Sequence, residues 1–372
     1  MQTASLWQDF ERKHEVRGMQ EEKKDIKSFM LAELTDEFLT MGEKKFRAAQ
    51  VFDWLHKRGV TGFLQMTNLP AGLRETLAEK YTIVTLREVK RLASARDETV
   101  KFLFALPDDK VIESVFMKYK HGNSVCISSQ AGCRMGCRFC ASTLGGLERN
   151  LSASEMLEQI YRIQELTGER VSNVVVMGTG EPLDNYDNLV RFLRLISAPE
   201  GQGMSIRNIT VSTCGIVENI RRFAKEGLPV TLALSLHAPN DEARKRLMPV
   251  ANRYALKEVL AACDYYFEQT GRRISYEYSL VAGENDTEAE ADALGKLLKG
   301  KNCHVNLIPV NPIKEREYKQ SSFKNVLNFR KRLEKYNINV TIRRELGADI
   351  GAACGQLRKS HLDAAAVQGE HA

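Results

Sequence analysis

The sequence predicts an α/β protein: an incomplete TIM-like (βα)6 barrel preceded by a small helical domain. Two observations carry this. From about residue 150 onward, helical patterns of ten or more residues alternate with short runs rich in Val, Ile and Thr. That order builds a parallel sheet with right-handed crossovers, its site at the strand C-terminal ends. Residues 25–81 instead carry short amphipathic helical patterns.

In chain order, the charged segment 1–24 lacks sustained periodicity and is expected to be a frayed extension. In "GEKKFRAAQVFDWLHKRGV", Ala48, Val51, Phe52 and Leu55 form one apolar stripe that Gly59 ends. "TNLPAGLRETLAEKY" restarts a helix with Pro70 in its first turn. "TVKFLFAL", "VIESVFMKY" and "NSVCISSQ" then read as strands. After a cysteine-rich loop, six helix–strand alternations run from "SASEMLEQIYRIQELTG" and "NVVVMG" to "FKNVLNFRKRLEKY" and "INVTIRR". The expected domains are the extension 1–24, a helical domain with linker at 25–98, a catalytic domain at 99–358 and a tail at 359–372.

Composition excludes several classes. No stretch approaches the roughly 20 apolar residues of a membrane helix, and the first residues show no secretory pattern. Eight cysteines in 372 residues are too sparse for a disulfide scaffold, so a reducing cytoplasm is the expected compartment. The net charge of +6 is modest, but residues 301–360 hold thirteen Lys or Arg against five acids. Such an excess can neutralise several phosphates; a solvated helix face in "FRKRLEKY" is the alternative.

The chemistry concentrates in "SSQAGCRMGCRFCAST". Cys133, Cys137 and Cys140 are spaced CxxxCxxC, with Phe139 before the last. Three thiolates on one loop can hold three irons of a 4Fe–4S cluster, leaving the fourth open to a small chelating molecule. A three-thiolate zinc site is the alternative, and it would normally recruit a fourth ligand. Candidate ligand contacts recur at successive strand ends: Gly178, Gly180 and Glu181 in "MGTGEPLDN", Ser212 in "STCG", Ser235, Leu236 and His237 in "SLH", Asn311 in "NLIPVNP". Glu181 can accept from an ammonium, and the glycines admit close approach to a ligand.

The segments "CISSQAGCRMGCRFCASTLGGLERNL", "MGTGEPLDNYDN", "SLHAPNDEARKRLMP", "HVNLIPVNP" and "VTIRRELGADIGAACGQL" together resemble the RlmN/Cfr family of radical S-adenosylmethionine (SAM) RNA methyltransferases. The similarity runs from about residue 25 to 358 with matching order and spacing. It implies a radical-SAM barrel, one 4Fe–4S cluster on Cys133, Cys137 and Cys140, and SAM held by Gly180, Glu181, Ser212, Ser235, Leu236, His237 and Asn311. It implies methylation of adenosine carbon 2 in 23S rRNA and in tRNA beside the anticodon, fed by an electron donor such as flavodoxin or ferredoxin. Carbon 2 lies between two ring nitrogens and is too electron-poor to attack a sulfonium methyl, so an odd-electron route is needed.

By the resemblance, Cys354 first accepts a methyl group, which is converted to a carbon radical and adds to the adenine. The adduct loses an electron and its ring proton, which Glu113 takes, and Cys126 then attacks the sulfur of Cys354, leaving a Cys126–Cys354 disulfide to be reduced. Pro182 resembles the RlmN branch; the Cfr branch, methylating carbon 8, is the alternative. "STCG" departs from the commoner "STSG" at Cys214. Lys and Arg around 44–58, Arg244 to Arg246 and 314–344 are expected phosphate contacts, and a default reading of Glu113 makes it a surface strand residue. A monomer without membrane association is expected. A zinc-stapled RNA-binding protein without catalysis is the remote alternative.

Overall fold

The computed structural model describes residues 23–313 and 315–357. Most of the expected extension, the tail, Lys314 and Arg358 lie outside the described residues. The chain divides into two compact units that meet at Val84 and Thr85.

In the first unit, β1 (Lys24–Asp25) pairs in parallel with β2 (Tyr81–Thr82), and three helices lie between them in sequence: α1 (Leu31–Thr40), α2 (Lys45–His56) and α3 (Ala71–Lys80). The predicted stripe on α2 is buried, with His56 beside it. Pro70 stands just before α3 as its N-cap. His56 packs on Phe52 with ring centroids 4.3 Å apart. Burial, and then the charge of Lys27, push its imidazole pKa down to about 3 from 6.5. Between those two values the unfolded chain binds a proton that the folded one does not, so stability falls as pH drops through that window. Thermal unfolding followed from pH 7 to 4 is expected to show this loss, and His56→Leu to flatten it.

The second unit is organised by one ten-stranded sheet. Its first strands are β3 (Arg87–Ala93), β4 (Val100–Ala105), β5 (Val111–Met117) and β6 (Asn123–Cys126), joined antiparallel. The residues expected as a linker therefore contain β3, an exposed edge strand whose Lys and Arg side chains discourage further pairing. A short hairpin of β7 (Gln130–Gly132) and β8 (Leu147–Asn150) brackets the cysteine loop.

Six crossovers follow. Helix α4 (Ala153–Thr167) leads to β9 (Val171–Val176), α5 (Tyr186–Ser197) to β10 (Ile209–Thr213), and α6 (Val217–Phe223) to β11 (Thr231–Ser235). Then α7 (Asp241–Leu247) and α8 (Leu256–Thr270) lead to β12 (Ile274–Leu280), α9 (Glu288–Leu298) to β13 (Cys303–Pro309), and α10 (Phe323–Glu334) to β14 (Asn339–Ile342). Strands β6 and β9 to β14 are parallel and adjacent in sequence order. The sheet begins at β3 and ends at β14 without closing on itself, which is the incomplete barrel expected.

Helix starts follow capping chemistry. Ser152 and Glu155 form a capping box on α4, and Thr287 and Glu290 form one on α9. Strand alternation sorts the core. On β12, Tyr278 packs on Phe329 of α10 with centroids 5.1 Å apart. The intervening Glu277 and Ser279 face an internal cavity.

Candidate active site

The cysteine loop is held before any ligand is considered. Gly132 enters it at φ +75°, and a Cβ there would lie 2.0 Å from the Gly146 carbonyl oxygen. The Cys133 amide donates to that same oxygen at 2.8 Å. The Thr143 hydroxyl donates to the carbonyls of Cys137 (3.2 Å) and Cys140 (2.9 Å). The Arg138 amide donates to Leu247 O at 2.9 Å, anchoring the loop to the end of α7.

All three thiols line one cavity of about 130 Å³, shared with Gly180, Glu181, Ser212, Ser235 and His237. Burial raises their pKa, that of Cys133 to about 12. Among the described residues, no three His, Cys, Asp or Glu side chains converge on a single-ion site. An iron–sulfur cube gives each thiolate its own iron, so three thiols spread around one cavity suit a cluster.

Glu181 is buried. One carboxylate oxygen accepts from the Leu183 amide (3.1 Å), the other from the Cys214 amide (2.8 Å). Burial raises its pKa against the pull of these donors. The glycines before it have a second duty beyond ligand approach. A Cβ on Gly180, at φ +111°, would sit 2.8 Å from the Gln130 amide nitrogen, and one on Gly178 would sit 2.7 Å from Ile127 O. Both clear the way for the β6–β7 backbone.

His237 adopts φ 56°. Its Nδ1 accepts from the Ser279 amide at 2.9 Å, so the neutral ring carries its proton on Nε2. Burial holds its pKa down at about 3, and its ring meets Phe139 edge-on at 4.7 Å. Ser212, Ser235 and His237 also line an adjoining cavity of about 120 Å³ with Asn311 and Cys354. The Asn311 amide group donates to Cys354 O at 3.0 Å. Leu236 is fully buried and lines neither cavity; its amide is taken by Glu277 O at 3.0 Å.

Cys126 ends β6, buried among Val115, Met117 and Leu357. Burial, and then the nearby Cys354, push its thiol up to about 12. Glu113 is not at the surface: it is 3% exposed on β5, ion-paired at 3.3 Å with Lys101, which is 2% exposed. Both faces of β5 are covered, so the outward position assumed for Glu113 does not exist. It lines a third cavity, not the one holding Cys354.

Two expected phosphate contacts are corrected. Arg244 is fully buried and donates to the carbonyls of Cys214 (2.6 Å) and Leu236 (3.3 Å). Arg343 faces the Cys354 cavity, its guanidinium 3.9 Å from the Glu277 carboxylate and 3.8 Å from Met177 Sδ. Sequence reasoning missed Met177, Glu277 and Ser279 as lining residues. Period-two alternation on β12 was the available signal for the last two. Cys214, where the sequence departs from the commoner "STSG", also lines the thiol cavity.

Comparison with known proteins joins these features. Residues 127–294 match the radical SAM superfamily, and residues 24–83 match the ribosomal RNA large subunit methyltransferase N-terminal domain. The chain is 63% identical over 347 residues to a protein of Lachnoclostridium phytofermentans named a probable dual-specificity RNA methyltransferase RlmN, covering 93% of this chain and 98% of that one. A Clostridium perfringens protein of the same name is 52% identical, covering 91% and 98%. A crystal structure of a radical SAM methyltransferase from Sphaerobacter thermophilus superposes with a TM-score of 0.86 at 41% identity, covering 90% of this chain and 99% of that one. This chain belongs to the RlmN family of radical SAM methyltransferases.

Proposed function

We propose that this protein methylates carbon 2 of adenosine in 23S rRNA and in tRNA next to the anticodon, through a methyl group carried on Cys354. The observation that carries the reading is the shared cavity wall. Cys354 stands in the cavity that adjoins the three loop cysteines, and Cys126 lies buried close by as a second sulfur. The dual-specificity name of the relatives supports two RNA substrates.

A radical SAM protein uses a 4Fe–4S cluster and SAM, and the residues present fit both. Cys133, Cys137 and Cys140 would hold the cluster. Gly180 and Glu181 would take the ammonium of SAM, with Ser212, Ser235, His237 and Asn311 around the remainder. When bound, the pair supplies a methyl group and a strongly hydrogen-abstracting centre. The chain's own contribution is positional: a fixed neutral imidazole on His237 and a buried carboxylate on Glu181 orient polar groups. The apolar walls exclude water, which strengthens these contacts. Cys354 carries the methyl, Glu113 takes the ring proton as the radical adduct also gives up one electron, and Cys126 releases the product by attacking the Cys354 sulfur. The two cysteines are left as a disulfide, whose reduction needs an external reductant.

The electron donor is a small carrier of the flavodoxin or ferredoxin class, and the protein acts as a cytoplasmic monomer. Among the described residues, no helix is long and apolar enough to cross a membrane. Nucleoside mass spectrometry of RNA from a strain lacking this protein tests the reading. Loss of 2-methyladenosine from both 23S rRNA and tRNA is expected. Undiminished 2-methyladenosine overturns it, and loss of the 8-methyl isomer instead favours the Cfr-type alternative.

A further inference from the structure

Release of the product asks for a thiolate where burial disfavours one. The base is held through a bond between the Cys354 sulfur and the transferred methylene, and Cys126 attacks that sulfur. A sulfur–sulfur bond forms, the sulfur–carbon bond breaks, and its electron pair stays on the methylene carbon. The proton given up by the Cys126 thiol ends on the same carbon, completing the methyl group. The working nucleophile is the thiolate. Yet Cys126 is enclosed by Val115, Met117 and Leu357, with Tyr119, Val175 and Met177 packed around them. Burial, and then the nearby Cys354, push its thiol up, while the charge of Arg343 pulls the other way.

Arg343 follows β14, its amide donating to Leu307 O at 2.9 Å, and its guanidinium reaches the wall of the Cys354 cavity. Among the described residues lining that cavity and the thiol cavity beside it, no other is Lys or Arg. Its partners leave much of its charge uncommitted. Nη1 donates to Met177 Sδ at 3.8 Å, and a thioether is a weak acceptor. The Glu277 carboxylate, 3.9 Å away, already accepts from the Asn306 amide group at 2.8 Å and the Ser275 hydroxyl at 3.1 Å. Met177 also packs on the group that encloses Cys126, so Arg343 shares a wall with one sulfur and a neighbour with the other. The target sulfur is held still. Asn311 donates to Cys354 O at 3.0 Å, Gly355 O accepts from the Ala141 amide at 2.8 Å, and Leu357 O accepts from the Ser142 hydroxyl at 3.0 Å. This seam ties the Cys354 segment to the cysteine loop, and Leu357 packs against Cys126.

We propose that Arg343 is a positioning residue for product release, its guanidinium stabilising the negative charge on Cys126 as that sulfur attacks the Cys354 sulfur. The proposal rests on the methyl-carrier reading above and adds the group that makes the second cysteine a nucleophile. A fixed cation beside a water-poor site stabilises developing charge without having to reorganise. The loose pairing of Arg343 with Glu277 and Met177 leaves it free to do so.

The test follows the steps separately in the iron-reconstituted holoenzyme, given SAM, a chemical reductant and an rRNA hairpin carrying the target adenosine. Mass spectrometry reads the S-methyl group on Cys354 before RNA is added, denaturing electrophoresis reads the covalent protein–RNA band, and nucleoside analysis reads released product. Arg343→Gln is expected to keep S-methyl occupancy within about twofold of wild type, because loading is an endpoint rather than a rate. It is expected to release product at least about tenfold more slowly and to accumulate the covalent band, since a neighbouring opposite charge changes a thiolate population by roughly 10- to 10³-fold. Arg343→Lys keeps the charge without the planar fork and is expected to restore most of the release. Arg343→Gln combined with Glu277→Gln leaves no stranded carboxylate and is expected to accumulate the same band. Wild-type release from Arg343→Gln, slow release without the band, or a Lys variant as slow as the Gln variant overturns the role of Arg343. Cys126→Ala accumulating the band in those cases leaves the carrier reading standing. A wild type that never carries S-methyl on Cys354 overturns both.

Discussion

Replacing Cys354 with alanine is expected to remove methylated adenosine from the reconstituted reaction, a fall of at least ~10³-fold, or about 4 kcal/mol of barrier. The size follows from geometry. Cys354 lies in the small cavity that adjoins the three loop cysteines, its carbonyl held by Asn311. Cys126 cannot replace it, because it is buried at the end of β6 and lines neither of the two adjoining cavities. A covalent carrier with no substitute behaves as an essential nucleophile. Iron content should be unchanged, since Cys354 is not among the three thiols assigned to the cluster. Cys126→Ala should fail later, leaving protein and RNA joined in a band that survives denaturing electrophoresis. Product from Cys354→Ala above one per cent of wild type, or loss of iron in that variant, would contradict the assignment.

The second large effect falls on stability. Lys101 and Glu113 are an ion pair buried on adjacent strands, and the ammonium of Lys101 also donates to Gly351 O at 3.1 Å. Removing one member of a buried pair strands the other charge, typically costing about 3–5 kcal/mol. Lys101→Met is therefore expected to lower the melting temperature by on the order of 10 °C. Lys101→Met combined with Glu113→Leu should recover most of the loss, because an apolar pair of similar volume replaces two desolvated charges. A single-variant shift of only a degree or two would show that water reaches the pair.

The barrel was legible because its crossovers are long and its strands apolar. The cysteine loop was legible because its spacing is chemically restrictive. Burial of charge was not legible. Glu113 sits in "VIESVFM", where every residue is buried, so no alternation marks which face it takes. Arg343 lay inside a basic stretch and was counted with its neighbours, yet strand register turns it towards Glu277. Arg244 could have been found: Ala243, Arg244 and Leu247 form the buried stripe of α7, a helical spacing that a charge count conceals. The β7–β8 hairpin is too short to leave a pattern; what fixes it is the closeness of Gly132 to the Gly146 carbonyl.

The seam between the cysteine loop and the Cys354 segment joins residues 215 positions apart at Ser142 and Leu357. Closing so long a loop gains little until the intervening barrel has formed. On a ribosome, the nascent chain would thus assemble the half that holds the cysteine loop first and bring Cys354 into place last. A premature stop within the final crossover would leave the cysteine loop without the segment that carries Cys354.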